Sequence, residues 1–170
     1  MTAAPEGFAE FVTARSGALL RSAWLLTGDA GLAEDLLQTV LARAWRRWDR
    51  IAAGGAPEAY VRRALMTTYV SWWRRRWRVE TPTASMPDPV AVGDVSGELA
   101  ARDALQRALA GLSRQQRAVV VLRYAEDLSV EQTAEVLGCS PATVRVQAHR
   151  AIRALRANPQ LHPRIEEVEA

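Results

Sequence analysis

A chain of 170 residues with a formal net charge of +3 has room for one or two domains. No apolar run approaches the roughly 18 residues of a membrane span, and residues 1–10 lack a basic flank leading into an apolar core, so neither membrane insertion nor a secretory leader is expected. The single cysteine, Cys139, excludes an intramolecular disulfide and fits a reducing, cytoplasmic setting.

Every one of the 22 basic residues is arginine. Arginine presents a planar fork of donors suited to phosphate and to guanine edges. The arginines gather in two places, Arg74, Arg75, Arg76 and Arg78, then Arg145, Arg150, Arg153 and Arg156. Two basic patches on a nearly balanced chain point to a polyanion partner.

In chain order, a helix is expected over 6–26 with Phe8, Phe11, Val12, Leu19, Ala23 and Trp24 on its apolar side. Gly28-Asp29 breaks it, and Asp29 caps a second helix over 30–48, whose apolar positions are Leu32, Leu36, Leu37, Val40, Leu41, Ala44, Trp45 and Trp48. Trp24, Trp45 and Trp48 are expected in the core. Residues 51–56 read as a loop, and Pro57 opens a third helix over 57–76 that ends in the arginine cluster. Pro82, Pro87 and Pro89 mark 81–94 as an extended, flexible linker.

Beyond the linker, 96–112 reads as a helix carrying Leu99, Leu105, Ala108, Leu109 and Leu112. Ser113 with Gln116 forms a capping-box signature for a helix running to Tyr124, and Ser129 with Gln132 repeats it for a short helix ending at Leu137. Gly138 suits a left-handed cap, and Ser140-Pro141 opens a last helix to Arg156. The tail after Asn158 is expected to fray.

A short capped helix, a glycine turn and a longer basic helix make residues 129–156 a helix-turn-helix, whose second helix enters a DNA major groove. With Val144, Ala148, Ala151, Ile152 and Leu155 on the apolar face, the opposite face carries Arg145, Val146, His149, Arg150 and Arg153, with Thr143 in the first turn. Arginine there can bond guanine bidentately and Val146 can pack on a thymine methyl, while Arg153 and Arg156, farther along, suit phosphate. Trp72, Trp73 and Trp77 alternate with arginines in the other basic patch, an arrangement that suits unpaired DNA through stacking on a basic track. His149 and His162 are the only histidines and neither has a second metal ligand at usable spacing. Cys139 reads as a small packing residue, and no phosphate-binding glycine loop or nucleophile elbow is present. No metal, cofactor or catalytic group is expected.

The stretches 112–124 and 128–140, followed by Thr143-Val144-Arg145, resemble region four of extracytoplasmic-function sigma factors. Gly28-Asp29, Ala33-Glu34-Asp35-Leu36-Leu37-Gln38 and Ala44-Trp45 resemble region two of the same family, and 59–76 resembles its promoter-melting helix, closest to an actinobacterial subgroup. The resemblance implies an all-α fold of two small helical domains, a region-two bundle over 5–78 and a region-four helix-turn-helix over 97–157, joined by a flexible linker over 79–96 and followed by a tail over 158–170. It implies a factor that directs promoter-specific initiation by binding core RNA polymerase, at the clamp of the largest subunit and the flap of the second-largest. By position, Glu34, Asp35, Gln38 and Leu41 become polymerase contacts. Arg63, Thr67, Ser71, Trp72, Arg74, Arg75 and Arg76 become contacts to the downstream promoter element as single strand, and the loop 50–56 matches the one that holds a flipped-out base. Thr143, Arg145, Val146, His149, Arg150 and Arg153 become contacts to the upstream element as duplex. Tyr60, Thr67 and Ser71 stand where family members often carry tryptophan, asparagine and aspartate. An anti-sigma partner is also implied. The competing reading is a helix-turn-helix regulator that works without polymerase.

Overall fold

The computed structural model describes residues 4–79 and 96–161, without the side chains of 76–79, 96, 98 and 160. The chain divides into two compact units, Met1–Ala84 and Ser85–Ala170. All secondary structure among the described residues is helical. The linker expected over 81–94 lies outside the described residues.

The first unit packs three long helices and one short one. Helix α1 (Phe8–Thr27) stops at Gly28, whose φ of 71° places it in the left-handed region and lets its N–H reach the Trp24 carbonyl at 2.8 Å. Asp29 then caps α2 (Ala30–Trp45): its Oδ1 accepts the Leu32 N–H at 2.7 Å. Helix α2 lies against α1 and against α4 (Pro57–Val79). Leu19, Leu26, Leu36, Val40, Val61, Leu65 and Met66 fill the space between them, each almost fully buried. A carboxylate bridge locates the start of α4, since Glu58 takes Arg15 of α1 at 3.1 Å and Arg62 of its own helix at 3.0 Å.

Three expectations for this unit are corrected. The second helix ends at Trp45 instead of running to Trp48, because Arg47 leaves helical geometry at φ −127°, ψ 14°. A separate helix, α3 (Trp48–Ala53), follows, so the first half of the loop expected over 51–56 is helical. Ile51-Ala52-Ala53 contains no breaker, and the stop comes only at Gly54-Gly55. The change of direction buries both Trp48 and Ile51. The Trp48 indole N–H donates to the Glu6 carbonyl at 2.9 Å, and its ring meets Phe8 edge-on at 5.0 Å. Trp24 and Trp45 are half-buried, so Trp48 alone of those three tryptophans belongs to the deep core.

The second unit is built from local signals. Helix α5 (Ser96–Ala110) leads to α6 (Arg114–Val120), α7 (Val130–Leu137) and α8 (Pro141–Arg156). Both capping boxes form with all four bonds: Ser113 with Gln116, and Ser129 with Gln132. Gly138 ends α7 at φ 65° and Ser140 caps α8. Helix α8 packs on α6 and α7 through Val144 and Ala151, with Leu109, Val119, Val121 and Leu122 in the same core.

Here too the structure departs from the sequence pattern. After Val120 the helix widens into a π turn over Val121–Ala125, with the Glu126 N–H bonded to the Val121 carbonyl at 3.0 Å. This widening keeps Val121 and Leu122 both buried while Tyr124 turns outward, 59% exposed, with the Arg123 guanidinium 5.8 Å from its ring centre. The chain then turns through Asp127 at φ 54°. Helix α5 buries Ala108 and Leu109 near its end, whereas Leu99 and Leu105 stay exposed. A short 3-10 turn over Pro159–Leu161 packs on α5, and the remainder of the expected tail lies outside the described residues.

Thr133 of α7 is fully buried, and its hydroxyl has no partner among the described residues. A buried donor without a partner costs about 1–3 kcal/mol. Thr133→Val, which keeps the shape and removes the hydroxyl, is expected to raise the stability of the second unit by about 1 kcal/mol. Urea unfolding of the full chain measures this; an unchanged or lower midpoint contradicts it.

Candidate nucleic-acid and polymerase interfaces

The helix-turn-helix presents one continuous polar face. Ser140 is extended at φ −79°, ψ 152°, and its hydroxyl accepts the Thr143 N–H at 3.1 Å. With Val144 and Ala151 turned into the core, Arg145, Val146, His149, Arg150 and Arg153 emerge together on the outer side, all exposed. Val146 is 48% exposed, a large apolar side chain set among cations, where a thymine methyl can pack. Thr143 stands apart: it is half-buried and its hydroxyl bonds Ser140 Oγ at 2.9 Å, so it serves the cap first. Arg145 has a partner that sequence periodicity does not reveal. Its Nη2 lies 3.5 Å from Glu131 Oε1 in the first turn of α7, 14 residues away. The one available signal is topological, since the turn folds α7 and α8 together within reach of two long side chains.

On α4 the spacing of Arg63, Thr67, Ser71 and Arg74 places them along one side of the helix, with Tyr60, 45% exposed, at its beginning. Arg63, Thr67, Arg74 and Arg75 are exposed and Ser71 is half-buried. Local bonds shape this strip: the Thr67 hydroxyl donates to the Arg63 carbonyl at 3.1 Å, and Arg75 donates to the Ser71 hydroxyl at 3.0 Å. Trp72 is half-buried and continues the stripe of Val61, Leu65 and Thr68, so the structure does not bring it onto the strip with Arg63 and Thr67. Trp73 is also half-buried, and its indole nitrogen is enclosed with no partner among the described residues. The side chains of Arg76 and Trp77 lie outside the described residues. The loop expected over 50–56 is reduced to residues 54–56 after α3.

Helix α2 turns Ala33, Leu36, Leu37, Val40 and Ala44 inward. Glu34, Asp35 and Gln38 are exposed on the other side, and Leu41 is half-buried beside them. This acidic edge runs into an open, mainly apolar groove of about 380 Å³ lined by Phe8, Leu41, Ala42, Trp45 and Arg46. Sequence periodicity places Trp45 in the core; half-buried, it forms a wall of that groove instead, held edge-on against Phe8 at 5.1 Å.

Among the described residues no three metal-ligating side chains converge, and no helix is long and apolar enough to cross a membrane. Two helical units, one carrying a basic-faced helix-turn-helix and the other an arginine-bearing helix strip and an acidic helix edge, fit the class of two-domain DNA-reading transcription factors. The comparisons with known proteins agree. Residues 11–79 match the model of sigma-70 region 2, and residues 102–155 match that of sigma-70 region 4. The chain is 46% identical over 149 residues to an RNA polymerase sigma-E factor of Streptomyces avermitilis, covering 88% of this chain and 83% of that protein. It is 35% identical over 154 residues to the ECF RNA polymerase sigma factor SigL of Mycobacterium tuberculosis, covering 84% and 82%. Among solved structures it is similar to the sigma factor RpoE in complex with the anti-sigma factor NepR from Bartonella quintana, with 25% identity, a TM-score of 0.61, and coverage of 94% of this chain and 99% of that one. The chain belongs to the sigma-70 family, as an RNA polymerase sigma factor of the extracytoplasmic-function group.

Proposed function

We propose that the two units divide promoter recognition between them, the first over 5–78 and the second over 97–157, joined by a linker over 79–96 and followed by a tail over 158–170. The first docks on the polymerase clamp through Glu34, Asp35, Gln38 and Leu41, with the groove beside Trp45 receiving an apolar side chain of the partner. Its α4 strip, with Arg63, Thr67, Ser71, Arg74 and Arg75, tracks the downstream element once the strands part. The second unit lies against the polymerase flap and sets α8 in the major groove of the upstream element. Arg145, Val146, His149 and Arg150 face bases there, while Arg153 neutralises phosphate and Thr143 shapes the entry.

The observation that carries this reading is the exposed face of α8, a run of arginines around one apolar residue on a helix whose start is fixed by Ser140. The protein supplies recognition and leaves bond formation to the polymerase, in the cytoplasm. The RpoE neighbour is held by an anti-sigma factor, and an anti-sigma protein is the regulator proposed for this chain as well. Runoff transcription with core polymerase and promoter duplexes from the source genome tests the assignment. Specific transcripts are expected only when the protein is present; none, with a folded protein that still binds duplex, would leave it a regulator independent of polymerase.

A further inference from the structure

The contact between Glu131 and Arg145 is a weak bond in a telling place. Their side chains are 68% and 62% exposed and the closest approach is 3.5 Å, so water screens the pair and it adds little to the stability of the free protein. Its position gives it another consequence. Glu131 stands in the first turn of α7, beside the surface where α8 meets duplex DNA, and a carboxylate there faces a polyanion. Left alone, it would weaken binding to every sequence alike. Paired with Arg145, it takes one of the two Nη2 protons and leaves the other two-donor edge of the guanidinium to be offered in one direction.

We propose that Glu131 is a positioning residue for upstream-element recognition. It holds the Arg145 fork toward the edge of a single guanine and away from neighbouring phosphates. The inference rests on Arg145 being a base reader. When the groove closes over the pair, water leaves and the attraction between the two charges strengthens. A guanine then satisfies the remaining donors. Any other base leaves part of the fork unpaired next to a carboxylate that the phosphates repel. Glu131 therefore sharpens the preference by penalising wrong sequences, and its removal trades selectivity for general affinity.

The test uses the full chain assembled with core polymerase and a pool of promoter duplexes randomised through the upstream element. Retained duplexes are sequenced for the wild type, Glu131→Gln, Arg145→Ala and the double variant. Arg145→Ala is expected to flatten the preference at one base pair. Glu131→Gln should reduce the preference at that same base pair by about fivefold, within the range of one bidentate contact, and spare the others. The double variant should match Arg145→Ala in base preference. Glu131→Gln should also bind unrelated duplex more tightly. A Glu131→Gln profile identical to wild type at the Arg145 base pair overturns the positioning role. Arg145→Ala without a flattened base pair overturns the base-reading assignment, and the inference falls with it.

Discussion

Asp35→Arg is expected to abolish promoter-specific transcription while leaving the protein folded and its upstream duplex binding intact. Asp35 is exposed on α2, past the first turn, and its side chain takes no part in the core formed by Leu36, Leu37 and Val40. A surface change of this kind alters stability by no more than about 0.5 kcal/mol. On the proposed clamp-docking face this change replaces a carboxylate by a cation, and a like-charge juxtaposition at an interface costs several kcal/mol. A loss of about 3 kcal/mol corresponds to a weakening of roughly 100-fold. Gel filtration of the assembled holoenzyme, thermal unfolding, runoff transcription and duplex binding by the free protein read assembly, folding, transcription and upstream recognition separately. Retained transcription would remove Asp35 and its neighbours Glu34 and Gln38 from the polymerase interface.

The combined change Arg145→Ala with Arg150→Ala is the second large effect. Both side chains are exposed on the outer face of α8 and neither fills the core, so the fold should persist. Each bidentate contact to a guanine contributes roughly 1–3 kcal/mol of discrimination, so the pair together should lower upstream-element selectivity by about 100-fold or more. The salt dependence of binding should also become shallower, because fewer counterions are released. Initiation from promoters with a consensus upstream element should fall, while assembly with polymerase is unaffected. Competition between specific and unrelated duplex over a range of salt concentrations measures both; an unchanged ratio would show that base reading lies elsewhere on the domain.

What could be read in advance was what the chain decides locally. The bonds of Ser113 with Gln116, Ser129 with Gln132 and Ser140 with Thr143 each span three residues, so residue type and spacing announce them. Gly138 and Gly28 are legible for the same reason: each must adopt positive φ at a helix end. The outer face of α8 followed from periodicity once Val144 and Ala151 were assigned inward.

The features that escaped depend on residues distant in sequence. Nothing near Arg47 announces the break before α3; that turn puts the Trp48 indole in reach of the Glu6 carbonyl, 42 residues away. The π turn at Val121 answers a packing demand to bury two consecutive apolar residues, and a local helical pattern has no means of expressing it. The placement of Trp45 in a groove wall, and the meeting of Glu131 with Arg145, likewise arise from tertiary geometry.

The short span of the three serine-led bonds has a kinetic corollary. Structures dominated by near neighbours along the chain form rapidly, because little entropy is lost in closing small loops. Helices α6, α7 and α8 each carry their own starting instruction, so the DNA-reading module arrives already shaped. Almost none of the free energy of meeting a promoter is then consumed in organising the reader, and a brief encounter can be as discriminating as a long one.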